Sequence, residues 1–380
     1  IMELKFDTIC SASWTDVNID LSRKQVSHCC KSRPESYKKL TKNFINSSKG
    51  VVQRRIDTSR GIMHSQCDRC WKNYKKSNSA YRELKHQTNF KIPNNPQDAI
   101  NYIEIKFDNV CNLACLYCNS EYSSTIGLQE GIKNPIQNYD PKDLDVLISF
   151  LNELLVQKSF LQINILGGEP TLSEGYHKLI QKLLKNYASK KIVFITTTNG
   201  IIHPNAIKKI TKYVNTKNNW QWIWGFSGEA TDKLFENIRH GADFDIWKTN
   251  VKYFSKLNNS AIVFDPTPSL LSIGYLYDYL KVIDSLCDRY IIKGGWIDLD
   301  PLELSVAKAS KKHSEMLHEC KKFLQKNNCL NKKEALTWIN QLLNMLGTEK
   351  NDITKLKNFL SLKNHQKDNT LDVDYIINTL

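Results

Sequence analysis

Three cysteines stand close together in this chain, in the run Cys111-Asn112-Leu113-Ala114-Cys115-Leu116-Tyr117-Cys118. Thiolates suit soft metals, and three of them at C-x-x-x-C-x-x-C spacing can take three irons of a cubane while the fourth iron keeps no protein ligand. Such an open iron is a position for a chelating small molecule. A zinc site with three of its ligands here is the other reading, although structural zinc favours closed pairs with a fourth cysteine or histidine nearby. A second set lies nearer the start, in Cys10-x-x-x-Trp14, Val26-Ser27-His28-Cys29-Cys30 and Cys67-Asp68-Arg69-Cys70-Trp71. Four thiolates from that set would close a site, either a 4Fe-4S cluster or a zinc ribbon by spacing alone. The late Cys287, Cys320 and Cys329 fall at apolar helical positions and read as buried core thiols. Eleven cysteines in tight local groups do not read as a disulfide framework.

These residues need elements to carry them. Residues 1–95 are polar and close on Ile92-Pro93-Asn94-Asn95-Pro96, a turn-forming run that sets the first domain boundary. Beyond it, β-like runs at 102–107, 162–166, 192–196, 222–226, 261–264 and 290–297 alternate with helical patterns at 141–157, 174–187, 204–214, 245–257 and 273–286. Strand–helix repetition of this kind predicts an α/β fold with a parallel sheet, as a barrel or a doubly wound sheet. From 302 onward the chain reads as helical and lysine-rich, with helices at 302–325 and 332–346. The expected division is 1–95, 96–301 and a helical C-terminal extension over 302–380.

The cysteine loop directly follows the first of the alternating strands and resembles the signature of the radical S-adenosylmethionine (SAM) superfamily, including an aromatic residue, Tyr117, before the third cysteine. Further motifs fall in that family's order, each at the C-terminal end of a strand, where parallel α/β folds place their active sites. Gly167-Gly168-Glu169-Pro170 resembles the GGEP stretch that binds the SAM amino group. Thr197-Thr198-Asn199-Gly200 is similar to the family's TNG. Ser227-Gly228-Glu229 stands where relatives carry a serine for the SAM ribose, and Arg239-His240-Gly241-Ala242 looks like the R-x-G-A whose arginine pairs with the SAM carboxylate. The resemblance covers about residues 100–300. It implies a partial (β/α)6 barrel in which Cys111, Cys115 and Cys118 hold a SAM-binding 4Fe-4S cluster. It implies too that Tyr117, Gly167, Gly168, Glu169, Pro170, Thr198, Asn199, Ser227 and Arg239 bind the cofactors.

Cys10, Cys29, Cys30, Cys67 and Cys70 resemble the ligands of a twitch module, the shortened SPASM form. That module usually follows the barrel; here it precedes it, as in a phage-associated radical SAM group. The resemblance implies a second, auxiliary 4Fe-4S cluster serving electron transfer, with the choice between Cys29 and Cys30 open. The hairpin of the module lacks its usual glycine, with Ser22-Arg23-Lys24 in its place.

Composition bounds the rest. A hydrophobic share of 41% and a mean hydropathy of -0.45 are those of an ordinary soluble protein, no apolar run approaches a membrane span, and residues 1–7 lack the order of a secretory signal. A cytoplasmic location is expected. The formal charge of +14 comes mainly from lysine, with nine arginines in the chain, and reads as solvated surface ahead of a dedicated nucleic-acid face. The resulting expectation is a radical SAM oxidoreductase that takes its electrons from a flavodoxin- or ferredoxin-type reductant and acts on a peptide or protein side chain. The alternatives are an enzyme modifying a nucleic acid or nucleotide, and a non-catalytic zinc or iron-sulfur protein that docks a nucleic acid.

Overall fold

In a computed structural model of the chain, the residues described are 10–60, 62, 64–70, 91–297 and 301–366. Residues 1–7, Trp71 and the end of the C-terminal extension (367–380) lie outside them. The strands in chain order are β1 (Asp16–Asp20), β2 (Gln25–Ser27), β3 (Glu35–Ser36), β4 (Tyr102–Lys106), β5 (Ala114–Cys115), β6 (Phe160–Leu166), β7 (Lys191–Thr198), β8 (Gln221–Ser227), β9 (Arg239–His240), β10 (Ser260–Asp265) and β11 (Tyr290–Ile292). The six anticipated strands are β4, β6, β7, β8, β10 and β11. The chain divides into two compact units, the first made of residues 1–108, 137–195 and 216–221, the second of 109–136, 196–215 and 222–380.

In the first unit the strand order is β7-β6-β4-β1-β2-β3. β1, β4 and β6 run parallel, and β1, β2 and β3 form an antiparallel meander. Side chains alternate between faces along each strand. One face carries Val17, Ile19, Ile103, Ile105, Ile163 and Ile165, all buried. Burial of such a side chain contributes about 1.5–3 kcal/mol, so this row is a large share of what holds the three strands in register. The helices Pro141–Gln157 and Glu174–Tyr187 bury stripes at helical spacing, Leu144, Leu147, Leu151 and Leu154 on one and Tyr176, Leu179, Ile180 and Leu183 on the other. The β1–β2 turn manages without glycine. Lys24 takes a left-handed φ of 53°, and Asp20 Oδ1 accepts from Ser22 Oγ at 2.8 Å and Arg23 N at 3.0 Å.

In the second unit β8, β10 and β11 are parallel, and β5 pairs antiparallel with β9. Its core is aromatic: Trp224 meets Phe254 with ring centroids 4.6 Å apart, and Trp247 packs against Phe226, Phe264 and Tyr279. Cys287, Cys320 and Cys329 are buried as expected, although only Cys320 lies within a helix (Ser314–Lys326).

Two expectations about elements are corrected. The strand expected over 290–297 stops at Ile292, because the chain then passes Gly294-Gly295 so close to Trp338 that a Cβ on Gly294 would lie 2.1 Å from the indole. Trp338 Nε1 donates to Gly295 O at 3.0 Å and fixes that approach. The helix expected over 302–325 is α-helical only from Ser314. Before it come three short 3-10 turns, where Ser305 and Ser310 accept from the backbone of Ala307 and Lys312 and so compete with helix formation. Among the described residues no helix is long and apolar enough to cross a membrane.

Candidate active site

The cysteine loop is tied down from both sides within the second unit. On one side it closes on the helix Ser124–Gln129: Ser123 caps that helix and donates to Leu113 O at 2.6 Å, while Thr125 Oγ1 donates to Cys111 O at 2.6 Å. Asn109 Nδ2 donates to Ser120 O and Pro135 O, both at 2.9 Å. On the other side Cys115 pairs with Arg239 through β5 and β9, and Leu116 N donates to Ile238 O at 2.9 Å. Leu113, Ala114 and Leu116 are buried, and the three cysteines between and around them are half-buried. Apolar residues therefore anchor the loop while its sulfurs stay reachable.

Asn199, from the TNG stretch after β7, reaches this loop. Its Nδ2 donates to Asn112 Oδ1 at 2.8 Å and lies 3.8 Å from Cys111 Sγ, to which Leu113 N also donates at 3.5 Å. Thr198 Oγ1 accepts from Gly200 N at 3.1 Å, and Asn199 Oδ1 accepts from Ile201 N at 2.8 Å. Gly200 itself sits at φ 83°, where a Cβ would come within 2.3 Å of Trp247. Only glycine fits there. Burial first, and Cys115 second, push the Cys118 thiol up to about 12, so loading a metal here must displace protons.

Glu229 is the residue that motif reading missed. It follows Ser227-Gly228, is 0% exposed, and its Oε2 meets Arg239 Nη2 at 2.6 Å while its Oε1 accepts from Arg239 Nε at 3.2 Å. The same Oε1 accepts from Tyr117 Oη at 2.9 Å, and the Arg239 guanidinium lies 5.5 Å from the Tyr117 ring centroid. Burial alone would lower the Arg239 guanidinium, but the Glu229 carboxylate outweighs it and holds the group firmly cationic. Burial raises the Tyr117 hydroxyl well above the ordinary tyrosine range, so it stays a donor. Thus a residue between two cluster-loop cysteines, the arginine expected to meet a carboxylate, and a carboxylate at a strand end form one buried unit. Ser227 is half-buried at the end of β8, with its carbonyl accepting from Trp247 Nε1 at 3.1 Å. The only sequence signal for Glu229 was its place two residues after that serine.

The GGEP stretch belongs to the first unit. Gly167 has φ 146°, and a Cβ there would lie 3.1 Å from Asp108 O. Glu169 is 0% exposed; its Oε1 accepts from Thr171 N at 3.2 Å and Thr171 Oγ1 at 2.7 Å, capping the 3-10 turn Pro170–Leu172. Ser173 Oγ donates to Asp108 Oδ2 at 2.5 Å, and His177 Nε2 meets Thr171 O at 3.0 Å. The carboxylate is thus held rigid at the end of β6, as a group for recognising a cation must be.

The N-terminal cysteines also lie in the first unit. The thiol of Cys10 is within electrostatic reach of Cys70 and Cys67, and that of Cys29 hydrogen-bonds with the Cys30 thiol and lies within reach of Cys10. Burial pushes the Cys10 thiol up to about 11. Trp14 is 2% exposed and anchors the turn after Cys10. Beside this group is a buried cationic knot. Arg55 donates to Ser13 O at 2.8 Å and to Asn46 O at 3.0 Å, and Arg55 Nη2 meets His28 Nδ1 at 3.1 Å. Arg54 is 1% exposed, and its Nε and Nη2 have no hydrogen-bond partner. Burial, then Arg55 and Arg54, lower His28 well below its ordinary range, so the imidazole adds no further charge. Among the described residues no three His, Cys, Asp or Glu side chains crowd one point closely enough to share a single metal ion. A cubane takes its cysteines on different irons and holds them farther apart.

Residues 105–268 match the family model of the Radical SAM superfamily. Over 154 residues the chain is 29% identical to a GTP 3',8-cyclase of Peptoclostridium acidaminophilum, covering 37% of this chain and 42% of that protein. Over 224 residues it is 22% identical to a probable GTP 3',8-cyclase of Methanocaldococcus jannaschii, covering 56% of this chain and 68% of that one. The chain thus spans less than half of the first relative's length. Among solved structures, Streptococcus suis SuiB bound to S-adenosylmethionine aligns with 14% identity and a TM-score of 0.43, covering 73% of this chain and 54% of SuiB. SuiB bound to its precursor peptide SuiA aligns with a TM-score of 0.42.

Proposed function

From the radical SAM domain that residues 105–268 make up, in a superfamily of enzymes, we propose that this chain is an oxidoreductase that cleaves SAM reductively and has a second metal centre for electron transfer. The observation that carries the reading is the C-x-x-x-C-x-x-C loop, held between the Ser123 cap and the Glu229–Arg239–Tyr117 unit with donors aimed at Cys111 Sγ. The donor set fits an iron-sulfur cluster with one open iron, since hydrogen bonds to the sulfurs are what such clusters use to set their potential. Bound there, the cluster would supply the electron that breaks the SAM S–C5′ bond and releases a 5′-deoxyadenosyl radical. Cys111, Cys115 and Cys118 would hold the cluster, and Asn199 keeps Cys111 oriented. The motif resemblance assigns Glu169, with Gly167, Gly168 and Pro170, to the SAM ammonium, Ser227 to the ribose, Arg239 to the carboxylate, and Tyr117 and Thr198 to cofactor binding.

For the second centre the reading rests on the N-terminal cysteine motifs. A buried guanidinium with two unpaired nitrogens would suit an anionic centre, but a four-thiolate zinc site and a four-thiolate iron-sulfur cluster both carry net negative charge, so Arg54 does not choose between them. Cys10, Cys29, Cys30, Cys67 and Cys70 supply the candidate ligands, on a module spanning 1–95. The resemblance to a twitch module, in a chain that also carries the C-x-x-x-C-x-x-C loop, favours an auxiliary 4Fe-4S cluster over a zinc ribbon. Two substrate readings stand beside each other. A peptide or protein side chain is the expectation of the sequence, and a nucleotide is favoured by the names of the relatives, which are GTP 3',8-cyclases.

The test is direct. Anaerobically reconstituted protein, reduced with dithionite or with a flavodoxin-type reductant, is expected to convert SAM into 5′-deoxyadenosine and methionine, and Cys115→Ala to give none. Equal turnover in that variant, or none in fully iron-loaded wild type, would refute the reading. Adding GTP or a peptide library and measuring which accelerates 5′-deoxyadenosine release separates the two substrate classes.

A further inference from the structure

One side chain of the C-terminal extension reaches the cluster loop. The helix Ile353–Gln366 buries Leu356 and Leu360, which are 1% and 0% exposed and stand four residues apart. Three residues further the same stripe arrives at Lys363. Where the period calls for another apolar residue, the chain carries an ammonium. The helix packs against the 3-10 turn Leu302–Leu304, whose Leu304 is also fully buried, and helix, turn and cluster loop belong to the same compact unit. Lys363 is half-buried, and its Nζ donates to Cys118 O at 3.5 Å, across 245 positions of sequence. Burial of the two leucines thus sets the lysine down on the third cysteine of the loop.

The buried charges beside the loop, Glu229 and Arg239, pair with each other and bring little net charge to it. Lys363 is different. Among the described residues no carboxylate forms an ion pair with it, and its ammonium also lies within electrostatic reach of the Cys118 thiol. A carbonyl acceptor holds a cation in place without neutralising it, while the lysine stem rests along the protein. We propose that the C-terminal helix serves the Cys111 site by holding the Lys363 ammonium against Cys118, where its charge raises the reduction potential of a cluster held by Cys111, Cys115 and Cys118. An added electron makes such a centre more negative, and a nearby cation stabilises that state. Lys363 is a positioning residue in this role, since it acts through its charge and through the Cys118 backbone. The proposal rests on the reading of the Cys111 loop given above.

In the test the full-length protein, loaded with iron and sulfide under anaerobic conditions, is titrated with dithionite through redox mediators. The Cys111 centre is followed by the electron paramagnetic signal that changes when SAM is added, because that centre has the open iron. Lys363→Met keeps the length and the apolar stem of the side chain without its charge. Its midpoint should fall, so that the ratio of reduced to oxidised cluster at a fixed potential drops about tenfold for a half-buried unit charge. Lys363→Arg should titrate with wild type, and Lys363→Glu below the methionine variant. Iron content and thermal unfolding of the metal-free protein should stay at the wild-type level, since Leu356 and Leu360 still anchor the helix. A Lys363→Met midpoint equal to wild type would overturn the proposal, as would equal falls in Lys363→Met and Lys363→Arg, which would make the contact a matter of shape. Loss of the cluster from Lys363→Met would make the lysine a structural prop and overturn it too. An iron-loaded wild type whose signals ignore SAM sinks the reading of the loop itself, whereas a SAM-responsive centre with an unmoved potential sinks the role of Lys363 alone.

Discussion

Removing the Glu229 carboxylate tests the unit that holds the cluster loop. In Glu229→Ala the Arg239 guanidinium keeps its charge and its burial, with side-chain exposures of 5% for Arg239 and 0% for Glu229 in the wild type. Breaking a buried ion pair from one side costs about 3–5 kcal/mol, because the remaining charge is left uncompensated. Tyr117 loses its acceptor as well, worth about 1–3 kcal/mol for a buried hydroxyl, though the two losses share one carboxylate and do not add in full. A net cost of about 4 kcal/mol is expected, against a total stability of about 5–15 kcal/mol for a domain. Denaturant unfolding of the metal-free protein should show it. The decisive control is the double variant Glu229→Ala with Arg239→Met, in which no charge is left buried. Stability should then return to within about 1–2 kcal/mol of wild type, since apolar replacement of a buried pair is close to neutral. On the proposed assignment of Arg239 to the SAM carboxylate, SAM binding should not return. If Glu229→Ala unfolds within 1 kcal/mol of wild type, or if the double variant is no more stable than the single one, the carboxylate is not what holds this site together.

Three further outcomes follow from the same reasoning. Gly200→Ala combines a left-handed φ with a Cβ placed 2.3 Å from Trp247, and should lower stability by at least about 1–3 kcal/mol, read as a lower melting temperature and disturbed tryptophan fluorescence. Arg54→Met removes a buried, unpaired charge, so the metal-free protein should become more stable while the reduction potential of the N-terminal centre falls; an unchanged potential on redox titration would mean that Arg54 does not face a cluster. Glu169→Gln keeps the capping contact to Thr171 but removes the charge, and should weaken SAM binding about tenfold or more by calorimetry; unchanged affinity would mean that Glu169 serves only the turn.

Much of this was legible because the relevant signals are local. A C-x-x-x-C-x-x-C loop, a glycine turn after a strand and a 3.6-residue apolar period are each readable from a dozen residues, and the helices at 141–157 and 174–187 fall where that period placed them. What sequence did not reveal depends on distance along the chain. Glu229 matters because it stands 112 positions from Tyr117 and 10 from Arg239 yet touches both. Nothing in Ser227-Gly228-Glu229 marks the third residue as the charged one to watch. Asn18 is similar: in the sequence it is one polar residue of a strand, and its register opposite Glu104, with its side-chain oxygen accepting from the N–H groups of Cys29 and Cys30 at 3.1 Å, ties the sheet to a pair of cysteines. The 3-10 turns before Ser314 were missed for the opposite reason. There the apolar pattern spoke for helix, and the serine side chains at 305 and 310, competing for backbone N–H groups, decided otherwise.

The two sets of cysteines differ in a way that bears on their division of labour. Around Cys111 the nearby buried charges cancel, Glu229 against Arg239, and direct hydrogen bonds from Leu113 and Asn199 reach the sulfur. In the first unit, by contrast, Arg54 and Arg55 are buried with His28, which they help to hold neutral. Where the proposed second centre binds within reach of these guanidinium groups, they favour its more negative, reduced state, since each added electron is stabilised by them. On the proposed two-centre reading an electron released by an oxidised substrate should then fall toward the N-terminal site, which with four thiolate ligands would accept it without offering an open iron to compete for SAM; an N-terminal centre with a potential below that of the Cys111 centre would refute that direction.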